Sequence, residues 1–166
     1  ALAFPDISFR LYIENQMKMF LPVSSDRERI LNAYKNIYIQ DLTHKTKQDF
    51  ESFTISAILG GPSLYRKDRR HIQIFVNKRK INEYALLQAV DFGYTGFLPG
   101  GCFPLACIFI NINPDLVDFN IHPAKREVKF KNLNEIHKAI VKTIQNFLNS
   151  QLRRVESVTP REKQNI

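Results

Sequence analysis

The chain has 166 residues, 44% of them hydrophobic and 24% charged, which is enough apolar material for one sizeable core in a single domain. No apolar run approaches the ~20 residues that a membrane-crossing helix needs, and no secretory signal opens the chain, so a soluble intracellular protein is expected. A net charge of +8 points to a polyanionic partner.

Ile7, Phe9, Leu11 and Ile13 alternate with Ser8, Arg10, Tyr12 and Glu14, and Asn15-Gln16 offers a turn into Met17–Leu21. This predicts a β-hairpin. Ser25 and Glu28 stand at capping-box spacing ahead of Ile30, Leu31 and Tyr34, which predicts a short helix over 26–35. Phe53, Ile55, Ala57 and Leu59 define a strand stopped by Gly60-Gly61-Pro62, and 72–76 define another. The two are predicted to pair antiparallel across the loop between them. Asn82 is the predicted cap of a helix over 83–92, with Ala85, Leu86, Ala89 and Val90 on its apolar side.

The glycine- and proline-rich stretch 93–104 reads as a surface loop, and the unbroken apolar run 105–110 as a central strand covered on both faces. Val117, Phe119 and Ile121 then alternate with Asp118, Asn120 and His122 until Pro123 ends the strand. A turn through Ala124, Lys125 and Arg126 is predicted before Val128 and Phe130 resume the alternation. Apolar residues at helical spacing predict a helix over 133–152, the strongest periodic signal in the chain. From Arg153 to Ile166 the sequence is polar and aperiodic and reads as the start of a linker, so the expected layout is a domain over 1–152 cut from a longer protein. Strands and helices interleaved in this way predict an α+β sandwich with helices against one sheet.

Few of these residues carry recognisable chemistry. Cys102 and Cys107 have no second Cys or His pair at metal spacing, and His44, His71, His122 and His137 form no metal or triad pattern, so no metal site is predicted. Gly60-Gly61 and Gly100-Gly101 lack the context of a nucleotide-binding loop, and Asp115 and Asp118 sit at ordinary strand-entry positions. No catalytic residue is expected in this fragment alone.

Two features point outward. Between Pro62 and Lys80 stand Arg66, Lys67, Arg69, Arg70, Lys78, Arg79 and Lys80 against Asp68 alone, two basic clusters around an apolar strand that could neutralise several phosphates. Lys125, near a loop tip, suits a phosphate as a point-charge partner, although most turn lysines are simply solvated.

The segment from Phe119 to Phe130, FNIHPAKREVKF, resembles the NVHPAKxEVRF signature of the MutL family of DNA mismatch-repair proteins. In the same order along the chain, ALAFPDISF at 1–9 resembles that family's ALAxPxxSF, DRERI at 26–30 its RERI helix, FVNKRKI at 75–81 its FVNGRxI strand, and PDLVD at 114–118 its PxxVDV. The resemblance implies the transducer domain of a GHKL ATPase, with the ribosomal protein S five domain two-like fold. It further implies that ATP and Mg are held in a separate N-terminal GHKL domain outside this chain, as is a C-terminal dimerisation domain. Lys125 would contact the ATP γ-phosphate across the domain boundary, with Asn120 and His122 supporting its loop.

On the same resemblance the intact protein is an ATPase and a homodimeric clamp, working with other mismatch-repair proteins in the bacterial cytoplasm or a eukaryotic nucleus. The seven basic residues would touch the DNA backbone weakly and without base readout. Lys78 stands where the family has glycine. A stand-alone nucleic-acid-binding module of this fold and a type II topoisomerase transducer are the alternatives.

Overall fold

The computed structural model describes residues 1–119 and 128–158, the last five as backbone alone. In chain order the elements are β1 (Phe9–Ile13), β2 (Gln16–Leu21), α1 (Asp26–Ala33), β3 (Thr43–Asp49), β4 (Phe53–Gly60), β5 (Tyr65–Arg66), β6 (Ile72–Val76) and β7 (Arg79–Ile81). They continue with α2 (Tyr84–Gly93), β8 (Phe103–Pro104), β9 (Ala106–Ile112), β10 (Val117–Asp118), β11 (Lys129–Phe130) and α3 (Leu133–Val158).

Five strands form one sheet in the order β3-β4-β9-β6-β7. Ala106, Cys107, Ile108 and Ile110 are buried, so the run that β9 carries is covered on both faces and takes the centre. β9 pairs antiparallel with β4 and parallel with β6. This corrects the expected direct pairing of the 53–59 and 72–76 strands. The most continuously apolar strand displaces that contact by lying between the two.

α2 and α3 make the second layer of an α+β two-layer sandwich. Leu86, Ala89, Val90, Ile136, Ile140 and Ile144 pack on Ile55, Ala57, Ile74 and Ile108 of the sheet. Each large aliphatic side chain so buried contributes about 1.5–3 kcal/mol. Gly93, buried at the end of α2, lets the helices approach: a Cβ there would lie 2.8 Å from Cβ of Ile144. The opposite sheet face is partly covered by α1, the turn after it and the loop between β4 and β5, where Ile30, Tyr38 and Leu64 pack on Ile58, Leu105 and Cys107. Cys107 is buried and Cys102 half-buried, both as free thiols.

Several boundaries move from their expected places. α1 carries the predicted capping box, Ser25 accepting from the Glu28 amide and Glu28 from that of Ser25. α2 is capped by Glu83 in place of Asn82, because the extended Glu83 backbone lets its carboxylate accept from the Ala85 amide. α3 runs to Val158, past the expected end at Leu152. The polar edge strand β3 has no counterpart in the sequence reading, because an edge needs only alternate positions buried and its outer ones are Lys45 and Lys47.

β1 and β2 form the predicted hairpin as a separate two-stranded sheet, its turn one residue earlier than the expected Asn15-Gln16: Glu14 and Asn15 make it at φ 50° and 60°, and Gln16 pairs with Ile13. Among the described residues no helix is long and apolar enough to cross a membrane.

Candidate nucleic-acid interface

β6 and β7 are one hairpin, not the single 75–81 strand that the sequence suggested. Val76 pairs with Arg79, so Asn77 and Lys78 make the turn, at φ 47° and 67°. Asparagine tolerates that left-handed region. Lysine in it costs about 1–2 kcal/mol, a strain that the glycine of the resembling motif avoids. Asn77 holds the turn to the end of β9. Its backbone amide donates to the Ile110 carbonyl, its side-chain amide donates to the Ile112 carbonyl, and its Oδ1 accepts from the Ile112 amide, each at 2.9 Å. The exposed Lys78, Arg79 and Lys80 thus stand on a fixed platform.

The four basic residues of the preceding loop are engaged differently. Arg66 is half-buried, its guanidinium donating to the Tyr65 carbonyl at 3.0 Å and the Ile37 carbonyl at 3.4 Å. Lys67 is exposed, with Nζ 3.4 Å from Sγ of Cys102. Arg69 pairs with Asp91 at 2.8 Å and lies over the Phe103 ring at 4.8 Å. Burial raises the Asp91 carboxyl above its ordinary range, and the charge and hydrogen bond of Arg69 oppose that rise. Arg70 pairs with Asp68 at 2.8 Å, and its hydrogen bonds hold the Asp68 carboxyl down at about 2.

The seven basic residues therefore fall into two sets at opposite ends of β6, about 17 Å apart at ~3.3 Å per residue. Lys78, Arg79 and Lys80 have no carboxylate ion-pair partner among the described residues, whereas Arg69 and Arg70 are each neutralised by one. Long-range pairings such as Arg69 with Asp91 leave no signal in the sequence. The turn-forming tendency of Asn77 is the one sign that could have revealed the platform.

Asn120, His122 and Lys125 lie outside the described residues. The segment that carries them is framed by β10 and β11, in which Val117 pairs with Phe130 and Asp118 with Lys129. Val117, Val128 and Phe130 are buried in the main core, and the Lys131 amide donates to the Leu116 carbonyl at 3.0 Å. Phe119, the last described residue before the segment, lies under the Arg79 guanidinium at 4.7 Å. The basic turn and the entry to the lysine segment are thus in contact, a link not foreseen from sequence.

A family model described as "DNA mismatch repair protein, C-terminal domain" matches residues 30–149. The DNA mismatch repair protein MutL of Borreliella afzelii is 34% identical over 143 residues, covering 86% of this chain and 23% of that protein. MutL of Halothermothrix orenii is 33% identical over 169 residues, covering 100% of this chain and 25% of that protein. The chain thus spans about a quarter of the length of the curated relatives it matches. A solved "N terminal domain of a DNA repair protein" superposes with TM-score 0.69 at 17% identity, covering 93% of this chain and 52% of that one. The Aquifex aeolicus MutL ATPase domain carrying a lysine-to-asparagine mutation superposes with TM-score 0.53 at 16% identity, covering 86% and 46%. At those identities the two structures share the fold.

Proposed function

Because this chain belongs to the MutL family of DNA mismatch-repair proteins, we propose that it is the transducer domain of an ATP-driven, dimeric DNA clamp. In this reading ATP and its Mg ion are held by a GHKL domain elsewhere in the full-length protein. Lys125 extends across the domain boundary to the γ-phosphate, and Asn120 and His122 brace its segment. The nucleotide itself supplies the triphosphate whose terminal bond is broken. Lys125 would contribute one positive charge to the γ-phosphate oxygens, a contact that ends when that phosphate departs.

That contact exists with ATP and is lost after hydrolysis, so it supplies the differential interaction a conformational shift requires. The reading is supported above all by family membership together with the framing of the lysine segment. β10 and β11 tie both of its ends into the core that α3 and the sheet share, so force on the segment is passed to the whole domain.

DNA contact falls chiefly to Lys78, Arg79 and Lys80, which are exposed at a turn held by Asn77 and have no carboxylate ion-pair partner among the described residues. Arg66, Lys67, Arg69 and Arg70 add a weaker second contact, since ion pairs already offset part of their charge. Three to four phosphate contacts of this kind give a salt-dependent, sequence-independent attachment. Contact between Arg79 and Phe119 would let DNA bias the lysine segment.

The test is ATP turnover by the full-length protein carrying Lys125→Ala. Turnover is expected to fall by one to two orders of magnitude, as for loss of one charge-assisted contact worth about 1.5–3 kcal/mol. Wild-type turnover would remove Lys125 from the mechanism.

A further inference from the structure

The sheet face that looks away from α2 and α3 is covered by α1 and its neighbouring turns at the end that carries Leu105 and Cys107. Further along that face, opposed residues of four strands share one row. Lys80 of β7 stands opposite Phe75 of β6, Phe75 opposite Phe109 of β9, and Phe109 opposite Ser56 of β4. The two rings are stacked, with centroids 5.1 Å apart and planes 11° from parallel. Phe75 is buried, whereas Phe109 is only half-buried, and both line an open cleft of ≈ 390 Å³. That volume lies within the range of ligand clefts, about 300–1,000 Å³.

The lining of the cleft says what it can hold. Leu2 and Pro5 of the N-terminal segment give it apolar walls beside the stacked rings. Its basic border is the β6–β7 turn itself, because Asn77 and Lys78 line the cleft as well as forming the turn. Nζ of Lys78 lies over the Phe4 ring at 5.2 Å, which holds the ammonium at that border. Two carboxylates also line the cleft: Asp26, which is paired with Lys45, and the exposed Asp6. They disfavour a phosphate inside it. An uncharged planar ring meets no such penalty, and the phosphates attached to it are drawn to the lysines outside.

We propose that this cleft takes one unpaired base of a single-stranded nucleic acid, stacked against Phe109, while the flanking phosphates of the same strand rest on Lys78 and Lys80. The proposal rests on the reading above that the basic turn touches the nucleic-acid backbone, and it adds a preference for strand type. Continuity with that turn and the division of charge identify the occupant. Every base has a π-face, so stacking on an aromatic ring adds affinity without reading sequence. In a duplex the bases are already paired and stacked, so a duplex engages the turn and leaves the cleft unused.

The experiment measures binding of a short DNA oligonucleotide to the full-length protein by fluorescence anisotropy, once as a single strand and once as the same sequence in a duplex. Phe109→Leu keeps an apolar side chain against its core neighbours but removes the ring, and Ser56→Leu fills the cleft from the adjacent strand. Urea unfolding checks that each variant is folded, and if Phe109→Leu is not, Ser56→Leu decides. Each variant is expected to weaken single-strand binding about 5- to 50-fold, as for loss of one stacked base, and to change duplex binding less than twofold. A fluorescent aminopurine base in the single strand should lose emission on binding to the wild type and keep it with Ser56→Leu.

Unchanged single-strand affinity in the folded variants would overturn the proposal. So would equal losses for single strand and duplex, which would assign the cleft to the duplex backbone, or aminopurine emission that does not fall with the wild type. Lys80→Ala reads the turn separately and should weaken both forms of DNA. Wild-type binding of both by Lys80→Ala would remove that lysine's phosphate contact, while the Phe109 comparison would still report on the cleft.

Discussion

Replacing Arg29 with Leu removes the donor that ties Pro5, Ile7 and Pro22 together. Hydrogen bonds from a charged donor contribute about 1.5–3 kcal/mol each, and the two Nη2 hydrogens shared among these three carbonyls count as about two such bonds. Opposing this, Nε and Nη1 of Arg29 are buried without hydrogen-bond partners among the described residues, so removing the cation also removes an unfavourable desolvation. Water can reach the freed carbonyls once the hairpin root loosens, which lowers the cost further. The net loss is set at about 2–4 kcal/mol, or about 5–15 °C in Tm for a domain of this size. Equilibrium urea unfolding followed by circular dichroism measures it directly. Arg29→Lys, whose ammonium reaches fewer of the three carbonyls, should fall between the two. A change below about 0.5 kcal/mol for Arg29→Leu would refute the claim that this buried cation anchors the hairpin.

Gly93→Ala places a methyl 2.8 Å from Cβ of Ile144, and overpacking of this kind destabilises by about 1–3 kcal/mol; undiminished stability in urea would show that α2 and α3 can separate freely. Asp68→Asn should free Arg70 for DNA, raising retention two- to threefold at low salt and steepening the salt dependence by up to about one counterion. Since Arg70 holds Asp68 at about 2, the carboxylate stays ionised at any pH suited to binding assays, and this gain should be flat from about pH 5 to 8. An Asp68→Asn protein with wild-type salt dependence would speak against the loop touching DNA. Alkylation should modify the half-exposed Cys102 and spare Cys107, whose thiol burial pushes up to about 12; equal labelling in the native state would contradict the central placement of β9.

How legible these features were depended on the range of the interaction. The α1 capping box and the amphipathic α3 are local, and both follow from residues three or four apart. The hairpin at 9–21 was legible for the same reason, its strands being joined by two residues. Strand order was not. That β9 separates β4 from β6 depends on which strand is covered on both faces, and an apolar run marks the covered strand without naming its neighbours.

β3 escaped because its lysines describe a solvated edge as well as they describe a loop. For the candidate site, the seven basic residues were evident as charge, but their division was not. Asp91 stands twenty-two positions from Arg69, and nothing in spacing links them. Phe119 read only as a strand position, and its contact with Arg79 comes from β7 and the β10 strand end meeting in space.

The most direct test of γ-phosphate sensing separates the two nucleotides. In the full-length protein, Lys125→Ala should weaken binding of a nonhydrolysable ATP analogue by about 10- to 100-fold while leaving ADP affinity unchanged, because ADP lacks the phosphate that the lysine would contact. Isothermal calorimetry with both ligands reads the difference. Equal losses for ATP analogue and ADP, or no loss for either, would contradict the account.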